Sequence, residues 1–328
     1  MTFRFSLYRN HKWLVIASFI FLALGMLSPE PALAASAAHS YSFPDSSWEQ
    51  DIQSMKTRTV VGIPEKHTVK DGETLLDIAR DYSLGYLDLK RLYPDLDPWL
   101  PPVGQELILP RQWVLPATAR ADIIINLPEL RLYHFSKQKT ASLVQTFPVG
   151  LGSSEKPTPV GIFAVGEKRK TPYWYIPESL QEKYKQKVMA PGPHNPLGDY
   201  WIGLGHSSYG LHGTNNPWSV GRLATNGCVR LYPEHIRPLF DQVEMGQKVQ
   251  LIYEPVKLGI VGRKVYAEAH PDIYNLMEDY LYSAYQKLTA LGLSQYVDLQ
   301  KFRHVLEEKN GMPVNVSKST QEGLESNN

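Results

Sequence analysis

The chain has 328 residues, and its 34 Lys and Arg against 33 Asp and Glu give a formal net charge of +1. This balance excludes a protein that binds nucleic acid through bulk positive charge. Hydrophobic residues make up 43% of the chain, enough to bury a core, and the length suggests about two domains. A single cysteine, Cys228, excludes an intrachain disulfide scaffold and a zinc site built from several cysteines.

Residues 1–34 have the layout of a secretory signal peptide. Three positively charged residues precede a mostly apolar run at 13–27, and Ala32 and Ala34 are the small residues expected at a cleavage site. The apolar run is shorter than the roughly 20 residues that a bilayer span needs. The sequence therefore predicts an exported protein, and an uncleaved membrane anchor is the alternative.

The next two segments are a polar linker, predicted at 35–64, and a compact unit, predicted at 65–111. The unit begins with a short strand at Thr68, and Thr74 can cap a first helix. Apolar residues at i, i+3, i+4 and i+7 from Leu75 indicate that helix, and a second helix ends at Pro94. A closing strand completes the order strand, helix, helix, strand.

This compact unit resembles a LysM module, a family that binds chains of N-acetylglucosamine. Segments 67–79 and 104–110 look like the opening and the close of that family. Where the family usually carries Asn after its second helix, Tyr93 and Pro94 stand here. The alternative is a small αβ spacer that binds no ligand.

The rest of the chain predicts a mostly β domain at 118–255, with short β-type runs between turn signals at 123–125, 130–133 and 249–253. A C-terminal helical appendage follows at 256–311, and a polar, disordered tail at 312–328. The appendage is predicted from residues on one helical face: Ile273, Leu276, Met277, Tyr280, Leu281, Ala284, Tyr285 and Leu288.

The residues that can carry chemistry are concentrated around Cys228. A nucleophilic cysteine reacts as the thiolate, and a nearby histidine is its usual partner. His212 lies 16 residues upstream, which is far enough to return on a neighbouring strand. Gly227 lets the backbone approach a substrate, and the guanidinium of Arg230 suits a carboxylate.

Each of these residues has a structural alternative. Cys228 could be a small buried hydrophobic residue, His212 an ordinary core or surface histidine, and Arg230 could brace its loop through an ion pair. Aromatic residues at 173–175 and 200–201 could line a groove, or could alternate between core and surface in strands.

Four histidines are candidate zinc ligands: His194, His206, His212 and His235. No carboxylate or second cysteine stands at a recognisable ligand spacing from them. The sequence therefore predicts no metal and no cofactor.

The segments His212-Gly213-Thr214-Asn215 and 225–230 resemble the signature of the L,D-transpeptidase catalytic domain, known as the YkuD family; segment 158–163 also looks like a family stretch. Many members have His before the Gly-Cys pair, where this chain has Asn226. The resemblance covers about 120–254 and implies a mainly β catalytic domain of the YkuD-like β-sandwich type, beside the βααβ module and the C-terminal helical segment.

The resemblance also implies a role for each residue of the signature. Cys228 would be the nucleophile, His212 the general base, and the carbonyl of Gly213 the acceptor that orients the imidazole. Backbone N–H groups around Gly227 and Cys228 would form the oxyanion hole. The neighbouring residues would shape the site or bind the substrate carboxylate: Thr225, Asn226 and Arg230.

The whole arrangement is similar to the periplasmic ErfK/YbiS/YcfS/YnhG group. It implies an L,D-transpeptidase that forms a thioester with a peptidoglycan tetrapeptide stem, releases D-alanine and transfers the acyl group to an amine. The implied partners are stem peptides, glycan strands and an outer-membrane lipoprotein lysine, with no nucleic acid. An L,D-carboxypeptidase or endopeptidase with the same Cys-His pair, and a wall-binding scaffold without catalysis, are the alternatives.

Overall fold

The computed structural model describes residues 40–43, 58–117, 121–137 and 142–319. The predicted signal peptide lies outside these residues. No helix in these ranges is both long enough and apolar enough to span a bilayer.

Short strands dominate the described residues, together with six α-helices and one 3-10 turn at Pro217–Ser219. The strands are β1 (Ser40–Phe43), β2 (Val60–Gly62), β3 (Glu65–Thr68), β4 (Glu106–Leu109), β5 (Gln112–Val114), β6 (Ile123–Asn126), β7 (Arg131–Lys137), β8 (Ser142–Pro148), β9 (Leu151–Gly152), β10 (Gly161–Lys170), β11 (Trp174–Tyr175), β12 (Val188–Met189), β13 (Tyr200–Leu204), β14 (Gly210–His212), β15 (Leu223–Thr225), β16 (Val229–Arg230), β17 (Lys248–Ile252), β18 (Val256–Val261), β19 (Lys264–Ala269) and β20 (Val314–Asn315). The helices are α1 (Leu75–Asp81), α2 (Tyr86–Leu92), α3 (Glu178–Tyr184), α4 (Pro233–Gln242), α5 (Tyr280–Ala290) and α6 (Leu299–Glu308).

The small unit has the element order that its sequence predicts. Antiparallel β3 and β4 flank α1 and α2. Thr74 Oγ1 accepts a hydrogen bond from the Asp77 N–H at 3.1 Å, and the Asp77 carboxylate accepts one from the Thr74 N–H at 3.1 Å. This reciprocal capping box fixes the start of α1, with Asp in the place of the more usual Glu or Gln. Its assignment to the LysM family stays a prediction.

One large, mostly antiparallel sheet forms the mostly β domain, in the order β1-β8-β7-β6-β17-β10-β13-β14-β16. Two of its pairings are parallel, β6 with β17 and β14 with β16. Both faces of its centre are buried: Ile123 and Ile125 face a core that includes α4, whereas Ile124 faces a core shared with α1 and α2. This double burial explains why β6 is apolar at three successive positions.

The small unit docks on the β domain beside the predicted catalytic motif. The Arg80 guanidinium makes two hydrogen bonds to the Glu234 carboxylate, at 2.7 and 2.9 Å. A Cβ added to Gly221 would lie 2.4 Å from the Cα of Gly85, so these two backbones meet where no side chain fits. Gly221 precedes β15 and Glu234 follows β16, so the docking surface flanks both sides of the motif.

Three predicted boundaries differ from the structure. Segment 35–64 was predicted as a linker, but it contains β1, which pairs with β8, and β2, which pairs with β5. Within 312–328, predicted as a disordered tail, β20 pairs with β19 and Val316 is fully buried. Sheet pairing orders β1, β2 and β20 although the sequence around these strands is mostly polar.

The appendage at 256–311 was predicted as helical, but it begins with a β-hairpin of β18 and β19. Gly262, at φ +59°, forms the tight turn between Val261 and Lys264. The first helix then begins only at Tyr280, because the Asp272 carboxylate accepts the N–H groups of Leu276 and Met277 and holds that stretch in a turn.

Candidate active site

The parallel pairing of β14 with β16 brings His212 and Cys228 to one face of the sheet. Leu211 pairs with Val229, and both side chains point into the core. Since side chains alternate along a strand, the side chains of His212 and Arg230 point to the opposite face. Cys228 lies two positions before Arg230 and therefore shares that face.

The imidazole of His212 is almost completely buried and has a defined tautomer. Its Nδ1 lies 2.6 Å from the carbonyl oxygen of Gly213, which can only accept a hydrogen bond, so Nδ1 carries the proton. In this tautomer Nε2 carries the lone pair. The indole of Trp201 stacks on the ring, with centroids 5.9 Å apart and an interplanar angle of 22°.

The imidazole and the thiol are both neutral at pH 7 in this structure. Burial, followed by the positive charge of Arg230, lowers the pKa of His212 to about 3. Burial raises the pKa of the Cys228 thiol, although the N–H of Gly210 and the charge of Arg230 oppose this effect. Among the hydrogen bonds of the described residues none joins Cys228 to His212; Sγ donates instead to the carbonyl of Ser208, 3.8 Å away.

The turn before Cys228 depends on Gly227 and Thr225. Gly227 has φ +103°, and a Cβ added there would lie 2.6 Å from a ring carbon of Tyr209. Thr225 Oγ1 accepts from the Gly227 N–H at 3.2 Å and donates to the Cys228 carbonyl at 2.6 Å. The Gly227 N–H, which the family resemblance had suggested for the oxyanion hole, is therefore already engaged. The Cys228 N–H has no acceptor among the described residues. The neighbouring Asn226 is exposed.

Arg230 carries an unpaired charge at the site. One guanidinium nitrogen donates to Ser219 Oγ at 2.8 Å, and Nε is buried with no acceptor within the described part of the chain. Across the described ranges no ion pair links Arg230 to a carboxylate; a hydrogen bond to Ser219 stands in place of the ion pair that the sequence offered as an alternative. The positive charge therefore acts on Cys228 and His212 without a nearby counter-charge.

The aromatic residues singled out in the sequence have different positions. Tyr173 and Tyr175 are 55% and 68% exposed, and Trp174 packs edge-on against Tyr184 at 4.8 Å between ring centroids. Tyr200 packs on the ring of Phe240, whereas Trp201 covers His212. Trp201 is therefore the member of this set with a direct contact to the site.

The four histidines considered as zinc ligands do not form a group among the described residues. One group among the described residues has the geometry to hold a metal ion. It consists of Glu129, Glu268 and His270, whose ligand atoms all lie within 4.8 Å of one another. Lys257 Nζ lies 2.8 Å from both carboxylates, so an ammonium already supplies the positive charge there. The members of this cluster have no motif spacing, so the sequence did not predict it. The feature that could have indicated it is one charged residue in each of two apolar strands, Lys257 in β18 and Glu268 in β19.

Comparison with known proteins identifies the family to which this chain is related. Residues 120–251 match the YkuD family, the L,D-transpeptidase catalytic domain. The chain is 33% identical over 279 residues to the Escherichia coli K12 protein named "Probable L,D-transpeptidase YcfS", covering 78% of this chain and 85% of that protein. It is 29% identical over 276 residues to "Probable L,D-transpeptidase ErfK/SrfK" of the same strain, covering 80% and 87%. It is 35% identical over 205 residues to "Probable L,D-transpeptidase YbiS" of that strain, covering 60% and 65%. The chain therefore belongs to the L,D-transpeptidase family, with a YkuD-type catalytic domain.

Proposed function

We propose that this protein is a peptidoglycan L,D-transpeptidase in which Cys228 is the nucleophile and His212 the general base. The observation that carries the proposal is the parallel pairing of β14 with β16, which sets His212 beside Arg230, two residues after Cys228. The hydrogen bond from Nδ1 to Gly213 supports it further, because it leaves Nε2 as the unprotonated nitrogen that a base requires.

The first half of the reaction acylates the enzyme. As a tetrapeptide stem binds, His212 Nε2 takes the thiol proton and Sγ attacks the carbonyl carbon that follows the diamino acid. The Cys228 N–H stabilises the oxyanion. The imidazolium returns its proton to the amine of the terminal D-alanine, which leaves, and the acyl group remains on Cys228 as a thioester.

The second half transfers the acyl group. An amine of another stem, or a lipoprotein lysine, attacks the thioester and loses its proton to Nε2, and the thiol is restored. One amide bond replaces another, so the exchange needs no ATP. Water as the acceptor would turn the same site into a carboxypeptidase.

The unpaired guanidinium of Arg230 suits the carboxylate of the donor stem. It is held by Ser219 and lies on the same face as Cys228. A bound carboxylate would give this charge a partner, and a fork of N–H donors binds a carboxylate with defined geometry.

The remaining parts of the chain fit a role in the cell wall. Residues 1–34 would export the protein to the periplasm as a cleaved signal peptide. The LysM-like unit would hold a glycan strand near the active site; its loop before β4 exposes Trp99 and Leu100, which are 60% and 78% accessible. Aromatic surface of this kind suits the apolar faces of sugar rings.

Intact-mass analysis tests the proposal. The chain without residues 1–34 is incubated with a disaccharide tetrapeptide, and we expect an acyl adduct whose mass equals the substrate minus alanine. The adduct should map to Cys228 and should be absent from Cys228→Ala, provided that this variant melts at the wild-type temperature. An adduct on another residue, or no adduct at all, would contradict the assignment.

Adding an excess of an amine acceptor distinguishes transfer from hydrolysis. A cross-linked amide product supports transpeptidation. If only the hydrolysed tripeptide stem accumulates in the presence of the amine, the protein is a carboxypeptidase that uses the same pair of residues.

A further inference from the structure

A tyrosine of the C-terminal segment closes a loop of the catalytic domain. The hydroxyl of Tyr274 donates to the carbonyl of Gly152 at 2.7 Å and accepts from the Thr158 N–H at 3.3 Å. The Gly152 N–H donates in turn to Thr158 Oγ1 at 2.9 Å. These three hydrogen bonds join the two ends of the segment 152–158, named here the support loop.

The support loop packs against the turn that carries Cys228. Gly152 of β9 pairs with Thr225 of β15, and the Ser153 N–H donates to the Thr225 carbonyl at 2.9 Å. A Cβ added to Gly227 would lie 3.5 Å from the Pro157 carbonyl oxygen, so the loop also approaches this glycine. Thr225 is the residue whose hydroxyl braces the Cys228 turn, so the position of the loop bears directly on the nucleophile.

Tyr274 is itself held in place by two neighbours. Its N–H donates to the hydroxyl of Tyr253 at 2.8 Å, and the two rings stack with centroids 6.2 Å apart. The hydroxyl of Tyr253 donates to the carboxylate of Asp272. Burial raises the pKa of the Tyr274 phenol, so it remains protonated and able to donate. A locked donor of this kind can set the geometry of a reacting group.

We propose that Tyr274 is a positioning residue for acyl transfer: it lies outside residues 120–251 that match the catalytic domain, and it holds the support loop against the Cys228 turn. The inference rests on the proposed function of Cys228. The C-terminal segment then contributes to the reaction, because its Tyr274 holds the support loop that packs against the Cys228 turn.

The first test compares Tyr274→Phe with Tyr280→Phe. Tyr280 serves as the matched control because it is also half-buried and its hydroxyl donates to the His270 carbonyl at 2.8 Å, within the C-terminal segment. We expect Tyr274→Phe to lower kcat for acyl transfer about tenfold with KM within about twofold, since a small displacement of the reacting groups slows the chemical step. Tyr280→Phe should leave kcat at the wild-type level. A wild-type kcat in Tyr274→Phe, or an equal loss in the control, would overturn the inference.

A second test asks whether Tyr274 and Thr158 act through the same loop. Thr158→Val removes the acceptor of the Gly152 N–H and should lose about as much rate as Tyr274→Phe, whereas Thr158→Ser keeps the hydroxyl and should recover most of that rate. The double variant Tyr274→Phe/Thr158→Val should be no slower than the slower single variant. Fully additive losses would show that the two residues act independently and would refute the support loop as their shared target.

Alkylation separates this inference from the proposed function. The chain has one cysteine, so the rate of modification by iodoacetamide, followed by intact mass, reports on Cys228 without any substrate. A loosened turn admits water and brings the raised thiol pKa back toward its usual value, so alkylation of Tyr274→Phe at pH 8 should be about threefold faster than that of wild type and Tyr280→Phe. If wild type forms no acyl adduct but this difference is seen, the proposed function fails, and only the contact by which Tyr274 positions the Cys228 turn is supported. An unchanged alkylation rate with a normal wild-type adduct would refute the positioning alone.

Discussion

Two buried polar clusters of this protein differ in how completely their charges are paired. The cluster around Lys257 has its ammonium within hydrogen-bond reach of four acceptors: the Val114 carbonyl at 2.7 Å, Glu129 at 2.8 Å, the Tyr133 hydroxyl at 3.0 Å and Glu268 at 2.8 Å. At the Cys228 face, by contrast, Arg230 has no carboxylate partner among the described residues and its Nε is orphaned.

This difference separates a structural cluster from the proposed active site. A buried charge is tolerated when its partners are present, and the Lys257 cluster joins β5, β7 and the turn between β6 and β7 to the C-terminal hairpin. An unpaired buried donor costs stability, and a ligand that accepts from it would offset that cost. The comparison predicts that substitutions in the first cluster change folding and that substitutions at the second change chemistry.

The largest effect is expected at His212. His212→Gln keeps a polar side chain but removes the base, so kcat for acyl transfer should fall about a thousandfold. Because His212 is buried and hydrogen-bonded, the free energy of unfolding at pH 7 should fall by about 1–2 kcal/mol, less than expected for Lys257→Met. Steady-state kinetics and urea unfolding of the same preparation measure both; a large loss of stability with unchanged kcat would reverse the roles assigned to the two clusters.

Lys257→Met should act in the opposite way. Two buried carboxylates then lose their common cation, and breaking a buried pair costs about 3–5 kcal/mol of unfolding free energy. The matched control is Lys264→Met at an exposed position of the same hairpin, which should cost no more than about 0.5 kcal/mol. Equal unfolding midpoints for the two variants in urea would show that the cluster does not stabilise the fold.

Arg230→Gln tests the unpaired charge. Its guanidinium lowers the pKa of the Cys228 thiol, so its removal should shift the pH profile of iodoacetamide alkylation to higher pH. Acyl transfer should fall about 10- to 100-fold through loss of the substrate carboxylate contact. Arg237→Gln, at an exposed position on α4, provides the control. An alkylation profile identical to wild type would mean that the charge of Arg230 does not affect the pKa of the Cys228 thiol.

The last effect concerns pH and stability. Burial lowers the pKa of His235 to about 4 and that of His270 to about 3, below the value of about 6.5 in an unfolded chain. Between these values the unfolded chain binds more protons, so stability is complete well above pH 6.5 and is lost as the pH falls, on the order of 2 kcal/mol per histidine by pH 5. Urea midpoints at pH 7 and 5 measure this loss. His235→Gln should reduce it, whereas the exposed His304→Gln should leave it unchanged.

Local patterns in the sequence account for much of the fold that was predicted correctly. The helix at Leu75 follows from its cap and apolar spacing, and the strands at 123–125 and 249–252 follow from their apolar runs. The β18–β19 hairpin was not predicted, although Val256, Leu258 and Ile260 alternate with other residues as in a strand. The prediction extended the helical spacing that begins at Ile273 to the whole segment. The turn at Asp272 was missed because side-chain bonds to the backbone outweighed helix periodicity there.

The sequence by itself determined which residues could react, because His212, Gly213, Thr225 and Cys228 stand in one short stretch whose residue types and spacing specify the family signature. Only the tertiary structure decided how they are arranged: the shared face, the tautomer of His212, the engaged N–H of Gly227 and the unpaired Arg230. It alone brought Tyr274 to Gly152, 122 residues away, and Lys257 to Glu129, 128 residues away. The physical reason is that strand register and long-range hydrogen bonds depend on which segments pack together, and no local pattern of residues encodes that pairing.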